Sequence, residues 1–339
     1  KNSDKLRSPA LQSNSTSVVK HPSDLSKSSG KSSSPAVGSV SATVVNQPLP
    51  RKPMGLHNKG NTCYANSILQ ALCTVPTIWC QASSEGSDTS ALCKSLTLTM
   101  SNLEQAKATF DPSKLLRSLQ AHVFTQDSHF HFNTQQDVVY ILGILLDELK
   151  GCSMVADEIF SISCQSSVVC SQCSFIATTE ERLDMLPLQL CQNTRSSLSQ
   201  YLEVELLDGA NKYNCPLCES LQEGTIQKSI SRCGNVLICH LKRFGNFLDN
   251  TYKDCSYFFC QSTLSVPVSV EGEVSFSKNY TLVATINHSG TLHNGHYWAY
   301  IKSGDSWFKC NDTTVLKVRH AEVNNNTTSY VLIYRCVES

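Results

Sequence analysis

The chain has 339 residues, with 28 basic and 28 acidic side chains and a formal net charge of zero. A neutral chain has no general attraction for nucleic acid or anionic membrane. No stretch approaches the ~18 consecutive apolar residues of a membrane-spanning helix, so neither nucleic acid nor membrane is expected as a partner. Its seventeen cysteines are an odd number and partly clustered, which fits thiols and zinc ligands better than disulfides and points to the cytoplasm or nucleus.

Residues 1–50 hold fourteen serines and no aromatic side chain. Such a segment cannot bury enough apolar surface to offset its conformational entropy, and it is read as a disordered linker rather than an interaction tail. The chain opens on Lys1, not methionine, and is read as a fragment of a longer one. Residues 52–338 have the composition of a folded domain large enough to divide into lobes. Residues 64–78, 113–123 and 134–150 carry apolar side chains at helical spacing, notably Ile141, Leu142, Leu145, Leu146 and Leu149. Beyond residue 158 the pattern turns to strands, at 159–162, 235–238, 280–283 and 330–334. Helices first and strands later predict an α+β fold rather than alternating βαβ units.

The first chemically informative stretch runs from Gly55 to Gln70. A polar loop punctuated by glycine ends at Asn61 and Thr62, either of which could cap a helix. Ala65, Ile68, Leu69 and Leu72 then form one apolar helical face. Cys63 falls in the first turn, where free backbone N–H groups and the helix dipole favour a thiolate. The same N–H groups could stabilise an oxyanion, with the Asn58 side chain as a further donor.

Cys170-Ser171-Gln172-Cys173 and Cys215-Pro216-Leu217-Cys218 are two Cys-x-x-Cys knuckles separated by 41 residues. Two such knuckles complete a closed tetrahedral zinc site, which has no open position for catalysis and is therefore structural. A redox dithiol is the rival reading for either knuckle alone.

Near the C-terminus, Gly295-His296-Tyr297-Trp298-Ala299-Tyr300-Ile301-Lys302 and Ser306-Trp307-Phe308-Lys309-Cys310-Asn311-Asp312 flank a short turn and read as a β-hairpin. A two-residue loop at Ser303-Gly304 sets His296 directly opposite Asn311. A three-residue loop through Asp305 sets it opposite Asp312. A loop at Gly304-Asp305 breaks this match. Cys63, His296 and Asn311 or Asp312 would then supply nucleophile, base and orienter, with His288 and His293 as competing bases.

Together these blocks resemble the ubiquitin-specific protease family of cysteine deubiquitinases. The box around Cys63, Gly295-His296-Tyr297, Asn311-Asp312, the strand 237–244 and the terminal Tyr330-Val331-Leu332-Ile333-Tyr334 follow the family's order over residues 54–337. The resemblance implies a papain-like right hand: a helical thumb (about 54–155), β fingers tipped by zinc (about 160–230) and a β palm (about 232–338). It implies hydrolysis of the isopeptide bond after the C-terminal Gly-Gly of ubiquitin on conjugated proteins. Cys63 would be the nucleophile, His296 the base, Asn311 the third member with Asp312 beside it, and Asn58 the oxyanion donor. Tyr297 and Trp298 would wall a narrow channel for the Gly-Gly tail.

One block departs from the family pattern. Where the family has Gln-Asp-Ala-x-Glu-Phe-Leu, this chain has Gln136-Asp137-Val138-Val139-Tyr140-Ile141-Leu142. The family's acidic pair faces arginines in ubiquitin's tail, so Tyr140 would forgo one charge-assisted contact of ~1.5–3 kcal/mol before screening. The alternatives are a protease for another ubiquitin-like modifier and a catalytically silent ubiquitin-binding scaffold. A zinc-ribbon nucleic-acid binder is disfavoured by the neutral charge.

Overall fold

The computed structural model describes residues 16–19, 52–75, 89–247, 250–270, 273–291 and 294–337. After one strand in the tail, β1 (Thr16–Val19), the described chain is helical: α1 (Cys63–Leu72), α2 (Ala91–Gln105), α3 (Ser113–Phe124), α4 (Val138–Cys152) and α5 (Met154–Phe160). These are the thumb. Every residue of α1 is buried, because the helix lies between the other thumb helices and the palm sheet. Two of its polar side chains bond to backbone: Ser67 donates to Tyr64 O at 2.8 Å, and Gln70 donates to Met54 O at 2.5 Å.

Three expectations need correction. The helix expected over 64–78 ends at Leu72, and residues 76–78 lie outside the described residues. Residues 134–137 are not helical, because the Asp137 carboxylate accepts from Val139 N at 2.6 Å and caps α4 there. Ile159 and Phe160, expected in a strand, close α5, where they share a buried face with Ala156. Helix α2 was not anticipated, since its interleaved serines and threonines dilute the apolar period; Ser90 caps it through Cys93 N at 3.0 Å.

The chain then turns to strands: β2 (Ile162–Cys170), β3 (Ile176–Leu183), β4 (Leu186–Leu188), the helix α6 (Thr194–Tyr201), β5 (Glu205–Leu207), β6 (Tyr213–Cys215), β7 (Ser220–Gln222) and β8 (Gly224–Cys233). A five-stranded sheet in the order β1-β3-β2-β8-β5 forms the fingers, and the β6–β7 hairpin carries the second cysteine knuckle. The tail read as disordered is an edge strand at Thr16–Val19, with Thr16 opposite Glu180. Three of its four residues are β-branched, and the outer edge of β3 offers unpaired backbone groups. The rest of that tail lies outside the described residues.

The palm follows: β9 (Val236–Leu241), β10 (Phe244–Phe247), β11 (Asn250–Lys253), β12 (Phe258–Phe259), β13 (Thr263–Val270), β14 (Glu273–Gly290), β15 (Gly295–Ser303), β16 (Ser306–Asn311), β17 (Thr314–Val318), α7 (His320–Asn324), β18 (Asn325–Asn326) and β19 (Ser329–Cys336). Its main sheet runs β17-β16-β15-β14-β19-β9-β4, with β13 on the first half of β14. Strand β4 pairs parallel to β9, so residues 186–188 belong to the palm although they lie in the stretch assigned to the fingers. Alternation along the strands separates two cores. Ile238, Ile286, Ala299 and Ile333 face the thumb, while Leu237, Cys239, Tyr300 and Tyr334 pack with α6 and β13 on the other face.

Candidate active site

Cys63 is the first residue of α1 and is 4% exposed. Thr62 occupies the N-cap position but gives no side-chain cap to the helix. Its hydroxyl instead accepts from Lys59 N at 2.8 Å and donates to Asn58 Oδ1 at 3.2 Å. No capping side chain therefore competes for the first-turn amides, which can serve an oxyanion. The loop reaches this geometry through left-handed residues at Gly60 (φ 87°) and Asn61 (φ 55°).

Strand β15 brings His296 to the thiol across the seam between thumb and palm. Tyr297 N donates to Cys63 Sγ at 3.5 Å. The imidazole lies beside the Cys63 thiol, and its Nε2 is 2.6 Å from Asn311 Oδ1. The thiol contact, more than Asn311, lifts the half-buried imidazole to about 9 against the opposing effect of burial. The imidazole therefore keeps its proton beside the sulfur.

The route to this contact corrects the expected register. Ser303 faces Ser306, so the loop is Gly304-Asp305, with Gly304 at φ 56°. A two-residue hairpin loop demands positive φ at its first position, and glycine meets that demand. One step beyond the Ala299–Cys310 pair, the residue facing Asn311 is Trp298. His296 therefore reaches Asn311 as a diagonal neighbour on the same face, a separation of ~7–8 Å that side chains of this length can bridge.

Asp312 does not orient the imidazole. It sits at φ 49° in the turn before β17, accepts from Asn58 Nδ2 at 2.9 Å and accepts from Asn66 Nδ2 at 2.7 Å. Its backbone oxygen accepts from Leu56 N at 2.8 Å. A Cβ on Gly55 would lie 2.3 Å from Thr313 O, so the box before Cys63 packs closely on this turn. Asn58 is thus aimed from two sides: its Oδ1 accepts from Thr62 N at 3.1 Å, and one amide hydrogen is held by Asp312. The second amide hydrogen is left for substrate. Asn66 was missed in the sequence; its only signal is a polar residue three positions from Cys63 in a helix buried on all sides.

The competing histidines do not share this position. His288 is 3% exposed, with Lys253 Nζ 3.0 Å from its Nδ1, and burial pushes it down to about 4. His293 lies outside the described residues. The substrate-facing residues divide as well. Tyr297 is buried beside Cys63, Tyr330 and His288. Trp298 points to the opposite face, as successive strand residues must, where Lys309 Nζ sits 4.8 Å from its ring centroid. It does not wall the same side as Tyr297, but its ring lies 6.3 Å from the His296 ring at 23° and backs the imidazole.

On the thumb side, Asp137 accepts from Tyr330 OH at 3.1 Å as well as capping α4. Tyr140 is half-buried against the thumb core, and burial, then the Asp127 charge, raises its phenol. Gln136 turns back into its own loop, donating to Thr134 Oγ1 at 2.8 Å and His131 O at 3.3 Å. Its neighbour Gln135 reaches the palm instead, with two 2.9 Å hydrogen bonds to Gly295. Adjacent glutamines gave no means of choosing between them.

At the fingertip the four cysteines converge. Their sulfurs all lie within 4.8 Å of one another, with Cys170–Cys218 at 4.0 Å and Cys173–Cys215 at 3.6 Å. Zn–S bonds of ~2.3 Å in a tetrahedron place sulfurs ~3.8 Å apart, so the residues fit the ion. The residue after each knuckle, Ser174 (φ 56°) and Glu219 (φ 52°), is left-handed, giving both loops one turn geometry. Backbone N–H groups of Cys173 and Gln172 lower the Cys170 thiol to about 7, whereas the neighbouring Cys173 thiol pushes Cys218 up to about 12. Four thiols this close could hold a single metal ion between them. All cysteines among the described residues are free of disulfides.

The family profile described as ubiquitin carboxyl-terminal hydrolase matches residues 54–334. Arabidopsis thaliana ubiquitin carboxyl-terminal hydrolase 25 is 29% identical over 83% of this chain and 47% of its own length. Human ubiquitin carboxyl-terminal hydrolase 42 is 30% identical over 83% of this chain and 22% of its own length. The chain thus spans less than half the length of these relatives. The SAGA Ubp8/Sgf11/Sus1/Sgf73 DUB module bound to ubiquitin aldehyde contains a chain of the same fold, with TM-score 0.70 and 23% identity over 84% of this chain and 70% of that one. No helix among the described residues is long and apolar enough to cross a membrane. The chain belongs to the ubiquitin carboxyl-terminal hydrolase family.

Proposed function

We propose that this chain is a cysteine-type deubiquitinase that hydrolyses the bond after the C-terminal Gly-Gly of ubiquitin on conjugated proteins. The observation that carries the reading is the strand β15 seated on Cys63, where Tyr297 N donates to the sulfur at 3.5 Å and the adjacent His296 holds its Nε2 2.6 Å from Asn311 Oδ1. His296 takes the thiol proton and Cys63 attacks the carbonyl of the terminal glycine. Asn58 and the first-turn amides of α1 hold the oxyanion. His296 then protonates the leaving lysine amine, and water activated by the same imidazole resolves the thioester. Asn311 holds the ring's orientation, while Asp312 and Asn66 hold Asn58.

The four fingertip cysteines would bind a structural zinc, which cross-links the tips of β2, β3, β6 and β7 and supplies no chemistry to the reaction. Free thiols throughout the described residues support a reducing compartment, the cytoplasm or nucleus. The test is covalent labelling of the full chain by an electrophilic probe built on ubiquitin, with Cys63→Ala as control. Labelling that disappears in Cys63→Ala is the expected result; absence of labelling in the wild type overturns the reading. A second reading rests on Tyr140, which puts a half-buried phenol where the family has a carboxylate. Labelling only by a probe built on another Gly-Gly modifier would favour it.

A further inference from the structure

Gly295 lies between the β14–β15 turn and His296, and its own neighbours do little to hold it. Pairing with β14 ends at Gly290 opposite Gly295, and β16 pairs with β15 only from Ala299 onward. The Gly295 N–H and C=O therefore lie on an open strand edge facing the seam. Two residues along the same edge, Tyr297 N donates to the Cys63 sulfur at 3.5 Å. Gly295 cannot be pinned by a side chain of its own, because a Cβ would lie 1.9 Å from His288 Nε2 and 2.7 Å from Ser289 O.

The Gln135 carboxamide fills that edge. Its Nε2 donates to Gly295 O and its Oε1 accepts from Gly295 N, each at 2.9 Å. This is the reciprocal pair that a facing strand residue would make. Gln135 is itself held on both sides, by Gln136 bonded to Thr134 and by Asp137 bonded to Val139 N and Tyr330 OH. A bond from this anchored thumb loop thus fixes the residue next to the palm's imidazole.

We propose that Gln135 is a positioning residue for the base: by clamping both backbone groups of Gly295 to the thumb, it sets the approach of His296 to Cys63. The proposal rests on the reading of Cys63 and His296 as nucleophile and base. The residue type follows from the two bonds. Glutamate keeps the length but loses the donor and sets a carboxylate oxygen against Gly295 O. Asparagine falls short by one methylene, and alanine leaves both groups open.

The experiment uses the full chain and compares wild type with Gln135→Glu and Gln135→Ala. The rate of alkylation by iodoacetamide is read at Cys63 itself by peptide mass spectrometry, from pH 5.5 to 9.5. This small neutral reagent needs no modifier-binding surface, so it reports on the thiol–imidazole pair alone. In the wild type, Cys63 is expected to stay reactive at pH 6. In both variants, reactivity at pH 6 falls by about 10-fold or more and the profile moves toward that of an ordinary thiol near ~8.5. With a ubiquitin C-terminal amide substrate, kcat falls by up to about 10²-fold, KM changes little, and thermal melting stays within a few degrees of wild type. An unchanged Cys63 profile in both variants overturns the proposal, whether KM rises or activity is unaffected. If wild-type Cys63 itself behaves as an ordinary thiol and takes no ubiquitin probe, the functional reading fails instead.

Discussion

Cysteine carries the chemistry of two regions here, and the two are held together by different means. The seam around Cys63 joins residues 233 positions apart in the chain, yet it is backed by the larger hydrophobic core, which packs the thumb helices on the palm sheet. The fingertip joins two short knuckles, and its own core consists of Cys170, Phe175 and Cys215 with four partly buried neighbours. A cluster that small cannot offset the entropy of ordering two loops. Burial holds the seam and leaves its polar groups free for chemistry, whereas at the fingertip the proposed zinc would have to supply the cross-link through the thiols.

The sharpest test of that difference is Cys63→Ala. It should lower turnover by at least ~10⁴-fold while ubiquitin binding and thermal melting stay close to wild type, because α1 keeps its packing. A variant that melts much earlier would mean that the thiol is part of what holds the seam. Asn311→Ala should cost about 10²-fold in kcat, again without loss of fold, since Asn311 is a partly buried strand-end residue that holds the His296 ring at 2.6 Å in the proposed mechanism. Equal activity would remove Asn311 from the site.

The fingertip should respond in the opposite sense. Cys215→Ser, or zinc chelation of the wild type, should lower melting by several degrees or detach a separate fingertip transition, since metal binding is folding free energy in such sites. Alkylation of Cys63 by a small electrophile should continue at its usual rate. Unchanged melting of metal-free protein would break the comparison by showing that the fingertip is self-supporting.

A subtler test uses pH. The folded value of His296, about 9, lies above the 6.5 of an ordinary histidine. The stability it contributes is therefore complete below about pH 6.5 and is lost as pH rises through about 9. The melting difference between wild type and His296→Gln should narrow over that window. The basic limb of kcat should fall near the same upper value, because the imidazolium is the acid for the leaving amine. The smallest effect is expected for Tyr140→Glu, which restores the family's carboxylate at a half-buried position. With screening, it should raise kcat/KM on a ubiquitin substrate by no more than about 10-fold. A decrease would favour a modifier other than ubiquitin.

Much of this was legible locally. The knuckle spacing picked out the four cysteines that converge at the fingertip, because a Cys-x-x-Cys turn presents both sulfurs to one point wherever it occurs. The box from Gly55 to Leu72 determined that Cys63 opens a helix, because an apolar period acts within a few residues. The sequence also put His296 and Asn311 on the two arms of one hairpin, but neither loop that would set His296 opposite Asn311 or Asp312 forms; the loop is Gly304-Asp305, the one read as breaking that match. Glycine at position 304 was the available clue, since the first position of a two-residue loop demands positive φ.

Only the tertiary structure decided what crosses the seam. It assigned Asp312 to Asn58 and Asn66 rather than to the imidazole, and gave Gln135, not Gln136, the bond to Gly295. The physical reason is that spacing along a chain sets which residues share a turn or a strand face. Which of two adjacent polar side chains reaches a partner 160 residues away depends on where Asp137 stops α4 and how the thumb packs on the palm. No local period records that.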